Sequence, residues 1–364
     1  MEYKRLGDYI EPIDERNSKL EIKLSQGICN EKYFQDPRQV AENSAADKIV
    51  RRGYFAYNRA TTRNGEKISI AYREGPDCTV SSAYQVFRIK DEEKLNPKYL
   101  LMWYKRSDFD RYARFRSHGS AHEFFEYEEM CDVYLPLPDI DRQREIVEEY
   151  ETLSRRIRLN EQMIEKLETT AQALYRKMFV DGIDKENLPE GWRIETLSEV
   201  AKLKAGGDKP TVFSEVKTEL FNVPVYANGI DNKGIFGYTT RPVVEDKSIT
   251  ISARGTIGYC FLRKDPYVPI VRLIVVAPHD EAMAQYLYYY LDSSNIKGSG
   301  SVQSQLTVPD MEGIDILIPP YQSVKDFNDK VEIMDRSISI YEQENSKLSE
   351  LQSLLLAKMG NLKQ

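Results

Sequence analysis

At 364 residues the chain is long enough for two or more domains, and 41% hydrophobic against 30% charged residues supplies apolar material for real cores in an ordinary soluble protein. A net charge of −7 argues against a uniformly basic nucleic-acid binder but leaves room for a local basic face, because distribution matters more than total. The four scattered cysteines (Cys29, Cys78, Cys131 and Cys260) form no Cys-x-x-Cys pair, which argues against a disulfide framework or a zinc ribbon.

The chain opens on charged sequence with no apolar leader, and its longest apolar run, around Leu273–Pro278, is too short to cross a bilayer. A cytoplasmic protein without membrane contact is expected. Leu6-Gly-Asp8 leads into a first head, residues 1–140, of mixed structure rich in short strands. β-Branched and aromatic content predicts strands over Lys67–Tyr72 and Ser82–Ile89, a helix over Leu95–Tyr112 and a strand over Cys131–Leu135.

A long helix follows over 141–180. Ile146, Tyr150, Leu153, Ile157, Asn160, Ile164, Leu167, Ala171, Leu174 and Met178 keep a strict 4-3 spacing, the seam of a helix that pairs along its length. Its glutamates, such as Glu145, Glu148 and Glu161, lie largely off the seam. A Gly- and Pro-punctuated connector begins at Asp181, with 181–188 taken as the link between domains.

The second head, 189–320, repeats the plan of the first. Leu197-Ser-Glu199 answers Leu6-Gly-Asp8, and Ile318-Pro319 answers Leu135-Pro136. Strands are predicted over Ser248–Ser252, Tyr259–Leu262, Val271–Val276 and Gly313–Ile318, with a helix over Glu281–Leu291. The second long helix, 321–364, carries the same seam 181 residues on: Phe327, Val331, Met334, Ile338, Tyr341, Asn345, Leu348, Gln352, Leu355 and Met359.

A whole head separates the two helices, so they can pair antiparallel with the heads at opposite ends. If Ile146 then faces Met359, Asn160 faces Asn345, and a buried Asn pair fixes register at some cost in stability. The expected fold class is α+β: two α/β heads separated by two long helices forming an antiparallel coiled coil. Apolar outer positions such as Val147, Leu351 and Leu354 are expected to need partner proteins to cover them.

Ser252-Ala-Arg-Gly-Thr-Ile-Gly258, the Tyr54-Phe-Ala-Tyr-Asn58 turn, the Leu-Pro and Ile-Pro helix entries, Arg142-Gln-Arg-Glu-Ile-Val147 and Leu188-Pro-Glu-Gly-Trp192 together resemble the specificity subunits of type I restriction–modification systems, essentially end to end. The resemblance implies two target-recognition domains, each reading half of a bipartite double-stranded DNA site, with the helices as a ruler for the unread gap. It also implies two methyltransferase subunits docked on the helices, with restriction subunits joining them. S-adenosylmethionine, ATP and Mg are expected on those partners, leaving this chain without a cofactor and without chemistry of its own.

Base reading needs fixed donors and acceptors, Arg for guanine and Asn or Gln for adenine, while Lys, Arg and Ser set position on phosphates. The candidates in the first head are Asn58, Arg59, Arg63, Lys105, Arg106, Arg114, Arg116 and His118. In the second they are Lys209, Asn228, Arg254, Thr256, Gln303, Ser304 and Gln305. Arg59 and Arg254 lead, since each lies in a turn between strand-like runs.

His118-Gly-Ser-Ala-His122 followed by Glu123 has metal-pair spacing but no third Cys or His nearby, so no metal is expected. There is no Gly-x-x-x-x-Gly-Lys-Ser/Thr loop for ATP. Asn96-Pro97, Pro138-Asp139 and Pro309-Asp310 are read as chance dipeptides rather than methyltransferase or nuclease motifs. The competing readings are a coiled-coil protein–protein adaptor without DNA reading, and an enzyme with an unrecognised site in a head.

Overall fold

The computed structural model describes residues 3–37, 44–60, 67–118, 123–294, 296 and 305–360. The chain is α+β, with two mixed heads and two 40-residue helices, Ile140–Phe179 and Tyr321–Gly360, that pack together. It divides into two compact units: Met1–Glu161 with Glu342–Gln364, and Gln162–Tyr341. Each unit therefore holds one head and a stretch of both helices.

In the first unit, a four-stranded antiparallel sheet runs Ile10–Ile13, Tyr84–Ile89, Phe55–Asn58, Ile70–Tyr72. Helix Pro97–Tyr104 packs on it, and Phe55 stacks on Phe87 at 5.1 Å with Tyr104 edge-on. The predicted single helix over 95–112 is two, Pro97–Tyr104 and Ser107–Phe115, broken at Lys105–Arg106. Arg106 has extended backbone there, letting the second helix fold back so that Phe109 meets Tyr104 at 4.6 Å. Asp110 on that second helix is buried against Lys32, whose ammonium bonds it at 2.6 Å and the Ile68 carbonyl at 2.9 Å. Burial holds the Lys32 ammonium below the ordinary lysine range, with Asp110 opposing.

The second head has a four-stranded sheet, Ala201–Ala205, Ile274–Pro278, Ser248–Ile251, Cys260–Arg263, and a three-stranded one, Ile235–Thr239, Val223–Tyr226, Val268–Pro269. Helix Met283–Ser293 covers the larger sheet through Tyr286 and Leu287, both fully buried. The internal repeat is structural. Tyr3–Arg5 pairs antiparallel with Tyr134–Pro136, and Arg193–Thr196 with Asp315–Ile318. Leu6-Gly-Asp8 and Leu197-Ser-Glu199 both form helical turns after the first strand of each pair.

Every seam position of both helices is buried or half-buried. In the first unit the start of one helix meets the end of the other, with Ile146, Val147 and Met359 in the head's core. In the second, Phe179 near the end of the first helix packs on Phe327 near the start of the second at 5.3 Å. Both pairings are antiparallel. Val147 is thus core rather than an outer position, whereas Leu351 and Leu354 are 49% and 59% exposed beside Glu145, Glu148 and Glu149.

Asn160 donates to Asn345 Oδ1 at 2.8 Å and to Glu344 at 2.9 Å, and Arg156 clasps the same Glu344 carboxylate at 2.8 and 3.0 Å. Asn160 is 2% exposed, so its amide depends on these partners. Asn160→Ala strips the donor from this polar layer and is expected to cost about 1–3 kcal/mol in denaturant unfolding. A cost under ~0.5 kcal/mol would mean that water satisfies the layer instead.

Helix starts account for the three dipeptides. Asn96 Oδ1 accepts from the Lys98 and Tyr99 N–H groups, with Pro97 at the first helical position. Asp139 accepts from Arg142 N–H at the head of the first long helix. Asp310 completes a capping box with Thr307 around Pro309. The helix-opening motif has a physical reason too. Gln143 is fully buried and spans the Lys94 and Pro138 carbonyls and the Asn96 N–H, bolting helix to head. At the matching position of the second helix, buried Val324 does this by apolar packing.

Candidate nucleic-acid interface

In the first head, Asn58 ends a sheet strand with Arg59 just after it, and His118, Phe124 and Phe125 are stitched in beside them. Phe125 N–H donates to Arg59 O at 2.9 Å, and His118 and Phe124 exchange backbone bonds at 2.8 and 3.1 Å. The structure thereby brings Asn58, Arg59, Arg114, Arg116 and His118 onto adjoining segments. Their charges are balanced: Arg59 pairs with Glu126 at 3.1 Å, Arg114 with Glu123 at 3.3 Å, and Arg116 with Glu129, which also lies 3.5 Å from His118. Asn58 Oδ1 accepts from Ala60 N–H. An anion approaching here must compete with three glutamates or use the guanidinium donors they leave over.

Lys105 and Arg106, also candidates for DNA contact, lie apart from this group and are engaged in packing. The Lys105 ammonium sits 5.2 Å over the Tyr150 ring of the long helix, and burial holds it below its ordinary range. The Arg106 guanidinium stacks 4.1 Å from Trp103, bonds Asp108 at 2.8 Å and leaves no room for a side chain at Gly360. Both are packing residues between head and helices. Arg63, Gln303, Ser304 and His122 lie outside the described residues.

The second head offers a tighter constellation. Strands Ser248–Ile251 and Cys260–Arg263 are joined by a turn carrying Arg254 and Thr256. Arg254 donates from Nε and one terminal nitrogen to Gln305 Oε1, at 2.9 and 2.6 Å, and Leu306 N–H bonds the Ala253 carbonyl. Asn228 accepts from Ala253 N–H at 2.7 Å and donates to the Val271 carbonyl at 2.6 Å. Asn228, Arg254, Thr256 and Gln305 thus sit on loops tied into one patch.

The same bonds give Asn228, a candidate DNA contact, a structural role as well. One donor and one acceptor of its amide clamp two loops together, which leaves one N–H and one lone pair over. The Lys209 ammonium lies 3.6 Å over Phe213 and 5.2 Å over Phe236, on the smaller sheet's side of the head.

Two features escaped the sequence reading. Arg263 is buried, stacked 3.5 Å over Tyr226 and bonded to Thr250 Oγ1 and the Lys233 carbonyl, so it supports the 231–234 loop from within. Val271 and Arg272, expected to begin a strand, instead form a left-handed turn before the strand at Ile274. No group of three or more His, Cys, Asp or Glu among the described residues could hold a metal ion.

This architecture has known counterparts. The type I restriction modification DNA specificity domain matches twice, over 45–169 and 189–351. A Mycoplasma pneumoniae protein carrying the name of a type I specificity subunit is 29% identical over 73% of this chain and 80% of its own length. The HindI type I specificity subunit of Haemophilus influenzae is 20% identical over 87% of each. The crystal structure of the type I restriction-modification S subunit from M. genitalium superposes with a TM-score of 0.63 over 99% of this chain and 96% of that one, at 15% identity, so the fold is shared. The chain belongs to the type I restriction–modification specificity family, whose domain is one of DNA target recognition.

Proposed function

We propose that each head reads one half of a bipartite double-stranded DNA site, while the paired helices set the unread gap and dock two methyltransferase subunits. Restriction subunits complete the assembly on that core. Transfer and cleavage chemistry, with S-adenosylmethionine, ATP and Mg, resides on those partners, and the chain works in the cytoplasm where the DNA is. The observation that carries this reading is the duplication of a whole unit, in which the same closing strand pair, head and antiparallel helix stretch occur twice.

In this reading Asn58, Arg59, Arg114, Arg116 and His118 serve the first head, with Lys209, Arg254, Thr256 and Gln305 serving the second. The exposed Leu351 and Leu354, rimmed by Glu145, Glu148 and Glu149, suit a partner with an apolar ridge flanked by basic residues. No helix among the described residues is long and apolar enough to cross a membrane.

Phosphate contacts release counterions, so affinity for DNA should collapse with salt. For the chain assembled with its methyltransferase, neutralising six phosphates predicts a loss of roughly a thousandfold between about 50 and 200 mM salt. Salt-independent or undetectable DNA binding by the intact assembly would favour the adaptor reading.

A further inference from the structure

The turn at Ile270–Leu273 is built at a cost. Leu273 N–H donates to Ile270 O at 3.1 Å, and the two residues between, Val271 and Arg272, have φ of 55° and 62°. Positive φ at both central positions is type I′ geometry, which favours Asn-Gly and makes a β-branched residue an outlier. Three neighbours hold the strained backbone. Val271 N–H donates to Gly207 O at 2.9 Å, Arg272 N–H to Gly206 O at 3.2 Å, and Asn228 Nδ2 to Val271 O at 2.6 Å. Gly206 permits that approach, since a Cβ there would meet the Pro269 carbonyl carbon at 2.8 Å. Strain of this kind persists only where the surroundings impose it, and it gathers at functional positions.

Arg272 is exposed at the tip of this turn, and its guanidinium makes no ion pair or hydrogen bond among the described residues. The other arginines nearby differ: Arg254 is engaged by Gln305, and Arg263 is buried under Tyr226. One side chain, Asn228, links the Val271 carbonyl to the Ala253 N–H and so fixes the Arg272 turn against the Arg254 turn. A phosphate contact needs only a positive charge within reach. A bidentate bond to guanine also needs a planar fork aimed from a defined place, and the over-determined turn fixes the backbone from which the Arg272 fork projects.

We propose that Arg272 is a base-reading residue of the second head, presented to guanine in the major groove, with Asn228 as the positioning residue that sets it beside the Arg254–Gln305 pair. The inference rests on the reading that this chain recognises DNA.

The test is genome-wide adenine-methylation mapping in cells carrying the full chain with its methyltransferase, comparing wild type with Arg272→Ala, Arg272→Lys and Arg272→Gly. The first head's half-site serves as the internal control. The expected result is an unchanged first half-site and a second half-site in which one G·C position loses discrimination by roughly ten- to a hundredfold. Arg272→Lys is expected to lose it as Arg272→Ala does, because an ammonium cannot supply the fork. Arg272→Gly relieves the positive φ, so it should melt no lower than wild type while losing the same position, which separates reading from folding.

Restoration by lysine, or a uniform loss at every position, would make Arg272 a phosphate contact and overturn the proposal. An unchanged motif in all three variants would overturn it while leaving the chain's DNA role intact. A wild-type assembly that yields no split motif would overturn both.

Discussion

Inserting one heptad into each long helix, between Asn160 and Ile164 in the first and between Tyr341 and Asn345 in the second, is expected to widen the unread gap by about three base pairs. Seven helical residues add about 10.5 Å at ~1.5 Å each, and duplex DNA advances ~3.4 Å per base pair. A whole heptad preserves the seam on both helices, and these two sites lie on the same side of the Asn160–Asn345 layer, so the layer keeps its partners. The half-sites themselves should not change, because no head residue moves relative to its own loops. Methylation mapping of the variant reads gap and half-sites together. Altered half-site bases with an unchanged gap would sink the ruler idea. The same insertion in one helix alone should break the register and abolish methylation.

Lys32→Met is expected to destabilise the first head by about 3–5 kcal/mol, the usual penalty for leaving one member of a buried ion pair uncompensated. Lys32 and Asp110 have side chains 4% and 9% exposed, so water cannot replace the lost ammonium. Asp110 would keep only the Ile68 N–H at 3.1 Å, and the Ile68 carbonyl would lose its donor at 2.9 Å. Adding Asp110→Leu should recover part of the loss by removing the stranded charge, but not all, since the Ile68 N–H is then orphaned at about 1–3 kcal/mol. Denaturant unfolding of the full chain measures both. A single variant within ~1 kcal/mol of wild type would show that the pair is dispensable.

What the sequence revealed and what it hid divide along a physical line. The helix seam, the Asn160–Asn345 layer and a strand just before each long helix follow from periodicity or from the internal repeat, and both are written into a single chain. The Lys32–Asp110 pair joins residues 78 apart, and the glutamates that balance Arg59, Arg114 and Arg116 come from a separate segment. No local pattern announces such contacts, so arginines that looked available are neutralised.

The clamping role of Asn228 was hidden, because only tertiary structure brings the Ala253 N–H and the Val271 carbonyl to its amide. Val271-Arg272 has strand-like composition, and three neighbouring groups override it. Val147 misled for a similar reason, since it lies off the seam but under a head that periodicity cannot see. Asn96-Pro97 and its two relatives were legible in principle, being helix-start signals that went unread as such.

The central claim is that this chain directs methylation to a split DNA site, and the most direct measurement compares adenine methylation in cells carrying the partner methyltransferase with and without it. Two short half-sites flanking a fixed gap, methylated only when the chain is present, are the predicted result. An assembled complex that adds no such motif would contradict the account.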